Sequence, residues 1–136
     1  QQNNNVRSQT LSLYINTPMA TVYAFAANPL NLPHWVPSFC KSVTQINGKW
    51  LVQTADGPVE FAFVPHNTLG VLDHSVTFAS GKALTNPMRV IANGTGCEVL
   101  FTLFQHEGMT DEQFRRDAEL VLGDLTSLKN LLEAGE

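Results

Sequence analysis

The sequence predicts an α+β domain: a curved antiparallel sheet of about seven strands wrapped around a long C-terminal helix, with two short helices after the first strand. Three observations predict it. Between residues 39 and 106 short runs alternate apolar and polar side chains. Breaks such as Asn47-Gly48, Asp56-Gly57 and Ser80-Gly81 separate them. Such short links force antiparallel neighbours, since parallel pairing needs a crossover of a dozen residues or more. From residue 110 onward the apolar period lengthens to that of a helix.

The elements follow in order. Residues 10–16 place Leu11, Leu13 and Ile15 on one side, which marks a half-buried strand. Thr17-Pro18 supplies an N-cap and a proline at the first helical position. Met19, Val22, Phe25 and Ala26 then recur at helical spacing, to an end near Asn28. Asn28-Pro29 repeats the start signal, and Pro33 and Pro37 limit the second helix to one or two turns. A six-strand meander is expected at 39–46, 49–54, 59–65, 71–80, 83–92 and 97–106. Pro87 should mark an edge or a bulge in its strand.

The last helix, 111–133, is the clearest element and would run roughly 34 Å. Thr110 and Gln113 form a capping box, with Met109 and Phe114 placed as a hydrophobic staple. Phe114, Ala118, Val121, Leu125, Leu128 and Leu132 make one apolar stripe, and Gly135 is a stop. One domain is expected over residues 9–134, preceded by a frayed, polar stretch at 1–8.

Composition excludes several function classes. With 136 residues, 43% hydrophobic and 15% charged, the chain is globular and can bury a core without staples. Its net charge is −4, and its eight Lys and Arg are scattered. Nucleic-acid binding is not expected, because phosphate neutralisation needs clustered cations. Cys40 and Cys97 lie in no metal-ligand spacing and read as two small buried hydrophobes. No metal and no cofactor is expected. No P-loop, GxGxxG, GxSxG or paired-carboxylate motif occurs. No run approaches the ~18 apolar residues of a membrane span. No signal peptide is visible, so a cytoplasmic location is expected, although a removed segment before Gln1 stays open.

The order of elements, with G-V-L-D-H at 70–74, N-P-M-R-V-I at 86–91, G-C-E-V-L-F-T-L-F at 96–104 and D-L-x-x-L-K at 124–129, resembles the Bet v 1-like, START-like helix-grip superfamily (SRPBCC). That superfamily includes polyketide cyclases and dehydrases, and the motifs are most similar to an uncharacterised bacterial branch. The resemblance covers nearly all of the chain after residue 8. It implies a cavity for apolar ligands between sheet and helix, and no particular reaction.

Strand alternation says which side chains would wall such a cavity. Cys97, Val99, Phe101 and Leu103 point inward, with Glu98, Leu100, Thr102, Phe104 and His106 outward. Trp50, Val52 and Thr54; Val59, Phe61 and Phe63; Leu72, His74, Val76 and Phe78; and Met88 and Val90 point inward by the same rule. A slip of one residue would reverse any of these assignments. Trp35 and Phe39 are placed to close one end. The candidate ligand contacts are therefore Trp35, Phe39, Trp50, Phe61, Phe63, His74, Phe78, Met88, Val99, Phe101, Phe114 and Asp117.

His74 and Asp117 are the candidate catalytic groups. A neutral imidazole on an apolar face could bond a ligand or exchange a proton near neutral pH; the plainer alternative is a core histidine bonded to backbone. Asp117 and Asp124 lie seven apart on one flank of the helix stripe, beside Val121. A carboxylate at a cavity edge would have a raised pKa, whereas a solvated flank would not. Arg89 is expected to face outward as a partner for Asp73 or Glu98. His34, His66 and His106 read as surface or loop residues.

Three functions fit. The first is binding of a small apolar or amphipathic molecule, such as a lipid, polyketide or isoprenoid-like compound. The second is a cyclase- or dehydratase-type reaction with His74 as acid or base. The third is a protein-interaction module using Leu100 and Phe104 as an exposed apolar row. A homodimer is compatible with the first two.

Overall fold

The computed structural model describes residues 5–135. The chain runs β1 (Ser8–Ile15), α1 (Met19–Ala26), a 3-10 turn (Pro29–Asn31), α2 (Leu32–Trp35), β2 (Ser42–Ile46), β3 (Lys49–Thr54), β4 (Gly57–Phe63), β5 (His74–Thr77), β6 (Ala83–Asn86), β7 (Met88–Asn93), β8 (Gly96–Phe104) and α3 (Asp111–Ala134). Residues 1–4 of the stretch expected to fray lie outside the described residues. Its last residue, Ser8, opens β1 opposite Phe104.

All strand pairs are antiparallel, as the short links require. They form two sheets, ordered β1-β8-β7 and β2-β3-β4-β5-β6, where one continuous meander was expected. The cause is Pro87. It has no N–H to give to a ladder, and the strand expected at 83–92 breaks there. Ala83–Asn86 stays with β5, while Met88–Asn93 pairs with β8. The proline is therefore a point of sheet exchange rather than an edge or bulge within one strand.

Asp73 pins this exchange. Its carboxylate accepts from the Met88 N–H at 2.9 Å and from Arg89 Nε and Nη2, both at 3.0 Å. Arg89 thus faces outward with Asp73 as partner, and the guanidinium holds that carboxyl below the usual range. Close by, Gly70 and Leu72 bond the backbone of β7, through Val90 N to Gly70 O at 2.9 Å and Leu72 N to Met88 O at 2.8 Å. Gly70 has φ +75°, and the space a Cβ would need is taken by the Val90 carbonyl and Met19.

Helix α3 starts as its sequence dictates. Thr110 Oγ1 accepts from Gln113 N at 3.1 Å, and Gln113 Oε1 accepts from Thr110 N at 2.9 Å. Phe114, Ala118, Leu125 and Leu128 are buried, with Val121 and Leu132 packed against the core. The helix lies mainly along β1, β8 and α2. Lys129 Nζ donates to the Tyr14 carbonyl at 2.9 Å and to Glu133 at 2.7 Å, and Glu133 accepts from Asn16 N at 2.7 Å. These bonds fasten the end of α3 to β1. The five-stranded sheet stands farther from the helix, and the intervening space is the site described next.

Cys40 and Cys97 are both buried free thiols, and burial raises both pKa values, which suppresses the reactive thiolate.

Candidate functional site

A cavity of about 480 Å³ lies between α3, the five-stranded sheet and the end of β8. This volume is ample for a small molecule. Phe61 and Phe63 of β4, with His74 and Val76 of β5, form one wall. Phe101 and Leu103 of β8 form the next. Asp117, Val121, Asp124 and Leu125 come from α3, and Trp35, Val36 and Phe39 close one end.

Seven of the expected contacts meet there: Trp35, Phe39, Phe61, Phe63, His74, Phe101 and Asp117. Five do not. Met88 and Val99 are buried in the three-stranded sheet, where α1 packs on β7 and β1 and β7 flank β8. Phe114 is buried in the first turn of α3 beneath the Arg7 guanidinium, which sits 4.9 Å from its ring centroid. Trp50 pairs with Phe61, but it lines a separate depression of about 290 Å³ with Ala27 and Pro29. Phe78 is 37% exposed because β5 ends at Thr77 and a tight turn begins, with Gly81 N donating to Phe78 O at 2.9 Å.

The alternation rule also failed at the end of β8. Phe104 and His106 were placed outward, yet both are half-buried and line the cavity. Phe104 is the last paired residue of β8, at the sheet end where the cavity opens, and His106 lies beyond the strand, where the pleat no longer dictates direction. Asp56, in the β3–β4 turn, and Asp124 also line the cavity. Nothing local marked Asp56. For Asp124 the signal was its place on the same helix flank as Asp117.

His74 faces inward. Its ring stacks on Phe61 at 5.0 Å and 22°, meets Phe63 edge-on at 5.5 Å, and lies 5.7 Å from Phe101. Nδ1 is 3.0 Å from the Leu72 carbonyl. A carbonyl can only accept, so Nδ1 carries the hydrogen and Nε2 holds the lone pair. Burial lowers the pKa, against the pull of the Leu72 carbonyl and Asp73, so the ring is neutral at pH 7. Trp35 Nε1 is buried without a hydrogen-bond partner among the described residues.

The two carboxyls of α3 are perturbed by the same wall. Burial raises the pKa of Asp117, with Arg116 pulling it back. Burial alone pushes Asp124 up to about 7. A neutral imidazole and a carboxyl that titrates near neutrality thus share one apolar chamber. Among the described residues, no group of three or more His, Cys, Asp and Glu could hold a metal ion. No helix among them is long and apolar enough to cross a membrane.

No family model matches the chain, and no curated protein matches it in sequence. Solved structures do match. An uncharacterised protein of Bacillus thuringiensis superposes with a TM-score of 0.74 at 16% identity, over 93% of this chain and 98% of that one. A START superfamily protein of Mycobacterium smegmatis gives 0.71 at 9% identity, over 95% and 99%. A Thalictrum flavum norcoclaurine synthase point mutant, in complex with a transition-state analogue, gives 0.67 at 11% identity, over 99% of both. The chain has the helix-grip fold of the START-like and Bet v 1-like proteins. At such identities the likeness is one of fold.

Proposed function

We propose that this protein binds a small amphipathic, largely apolar molecule in the chamber between α3 and the five-stranded sheet. The observation that carries the reading is a cavity of about 480 Å³ walled by Trp35, Phe39, Phe61, Phe63 and Phe101, with a few polar groups among them. Aromatic walls with sparse polar groups suit a ligand that is mostly ring or chain. Leu100 and Phe104, expected as an exposed apolar row, are both half-buried and Phe104 lines the cavity, which favours the binding reading over a protein-interaction row.

Titration with N-phenyl-1-naphthylamine, whose fluorescence rises in apolar surroundings, tests the reading. A saturable one-to-one enhancement is expected. The Val121→Phe variant, which narrows the chamber from the helix side, should weaken it. A non-saturating signal would refute the proposal. So would binding untouched by Val121→Phe in a variant whose near-ultraviolet dichroism shows it folded.

A reaction in the same chamber is the second reading. It is favoured by a neutral His74 and a carboxyl that titrates at about 7 lining the same cavity, two groups whose environments suit acid–base work. Nε2 of His74 would take a proton, and its buried ring makes it a weak base. Incubation with any ligand found to bind, followed by mass spectrometry, separates the readings. Conversion that disappears in His74→Phe supports catalysis. An unchanged ligand supports binding alone.

A further inference from the structure

The charge of the cavity wall narrows the class of ligand. Asp56, Asp117 and Asp124 line the chamber, and among the described residues no Lys or Arg does. The cation nearest in sequence, Arg116, is ion-paired outside with Glu112 at 3.3 Å. His74 contributes no positive charge, because its Nδ1 hydrogen is bonded to Leu72 and its Nε2 is a bare acceptor. His106 also lines the chamber. Asp124 has neither a hydrogen-bond donor nor a cation as partner among the described residues, although apolar Val121 and Leu125 lie beside it. An ionised carboxylate in such a wall is costly unless something pairs with it.

Two further groups point to a ligand rather than to a solvated acidic edge. His74 is 8% exposed and Trp35 is 3% exposed, and both line the chamber. Nε1 of the second is buried with no hydrogen-bond partner among the described residues, and Nε2 of the first is an acceptor that its tautomer leaves with a lone pair. A buried polar atom such as Trp35 Nε1 is normally satisfied.

Resting on the binding reading above, we infer that the ligand is a hydrophobic amine: an apolar, ring-bearing body with a protonated nitrogen directed to Asp117 and Asp124. The ammonium supplies the charge that Asp124 lacks and that Asp117 feels only from Arg116, and hydrogens for acceptors such as His74 Nε2. The faces of Phe61, Phe63 and Phe101 favour a cation close to them. A fatty acid or other carboxylate of the same shape meets like charge on α3 and no Lys or Arg among the described lining residues. The chamber selects among apolar molecules by the sign of their polar end.

Calorimetry with three probes of one ring system tests this: 2-(2-naphthyl)ethylamine, 2-(2-naphthyl)ethanol and 2-naphthylacetate. At about pH 8.5 ordinary carboxyls are ionised and an alkylamine is still protonated, and Asp124, at about 7, is ionised too. The amine is expected to bind at least about tenfold more tightly than the alcohol, and the acid more weakly than either. In the Asp117→Asn, Asp124→Asn double variant the amine-to-alcohol ratio should fall to about one. Equal binding of amine and alcohol to the unaltered protein overturns the inference and leaves the binding reading standing. A preference that persists in the double variant overturns it as well. If none of the three probes binds, the binding reading fails and this inference falls with it.

Discussion

Replacing Asp124 with Asn should stabilise the protein, and only above the pH at which the buried carboxyl ionises. Burial moves this carboxyl from its ordinary 3.8 to about 7 in the folded chain. Between those values the folded state keeps the proton and the unfolded state loses it. The folded state then binds more protons, so stability falls as pH rises through this window. The penalty is absent below about 3.8 and complete above about 7. At 1.36 kcal/mol per pH unit the unscreened ceiling is about 4 kcal/mol. Asp124 keeps part of its surface in solvent, and screening reduces this to about 1–2 kcal/mol. Asn cannot ionise and escapes the penalty. Urea denaturation at about pH 4 and pH 8 reads the difference between variant and parent. It should be near zero at the lower pH and about 1–2 kcal/mol in favour of Asn at the higher. In melting temperature that is about 4–8 °C for a domain of this size. Asp117 and His74 also titrate abnormally, but they are present in both proteins and cancel in the difference. A gain of equal size at both pH values would refute the reasoning, as would a loss of stability at pH 8.

Two further variants test the frame that holds the chamber. Thr110→Ala removes one half of the capping box at the start of α3 and should lower the urea-derived stability by about 1 kcal/mol. Thr110→Ser, which keeps the hydroxyl, should restore most of it. Gly70→Ala should cost about 2–4 kcal/mol, because φ is +75° and the new methyl meets the Val90 carbonyl and Met19. An unchanged midpoint would show that the loop at 64–71 does not seat against β7 as described.

The legibility of each element followed from how local its determinants are. Helix α3 was readable to within a residue because its cap, its stripe and its stop lie within one segment. Hairpin turns were readable for the same reason. The division into two sheets was not. Pro87 reveals a missing donor, but the partner of each half of that strand is chosen by β5 on one side and β8 on the other. Phe78 continued an alternation that the chain abandons one residue earlier to turn. Within the site, His74 was placed correctly because alternation holds from Leu72 to Val76. Its tautomer was hidden, since a carbonyl two residues back fixes it. Asp124 shared a helix flank with Asp117, yet its shift depends on how closely the other sheet approaches α3.

That separation also explains why the chamber remains open. The end of α3 is tied to β1 by Lys129 and Glu133, and the cap fixes its start after β8. A helix so held cannot shift to fill the space beneath the five-stranded sheet. That sheet is in turn anchored to β7 by Asp73 and the bonds of Gly70 and Leu72. The aromatic rings on the wall therefore lack packing partners on one side, which forfeits dispersion contacts. Asp124 adds a further penalty once it ionises. On the proposed function, an apolar body with a cationic end in the chamber would recover both losses, and occupancy would stabilise the fold by mass action. A chain selected for stability alone would fill this space with larger side chains and put a neutral residue at 124. The proposed binding accounts for the unfilled wall and the unpaired carboxylate by one cause.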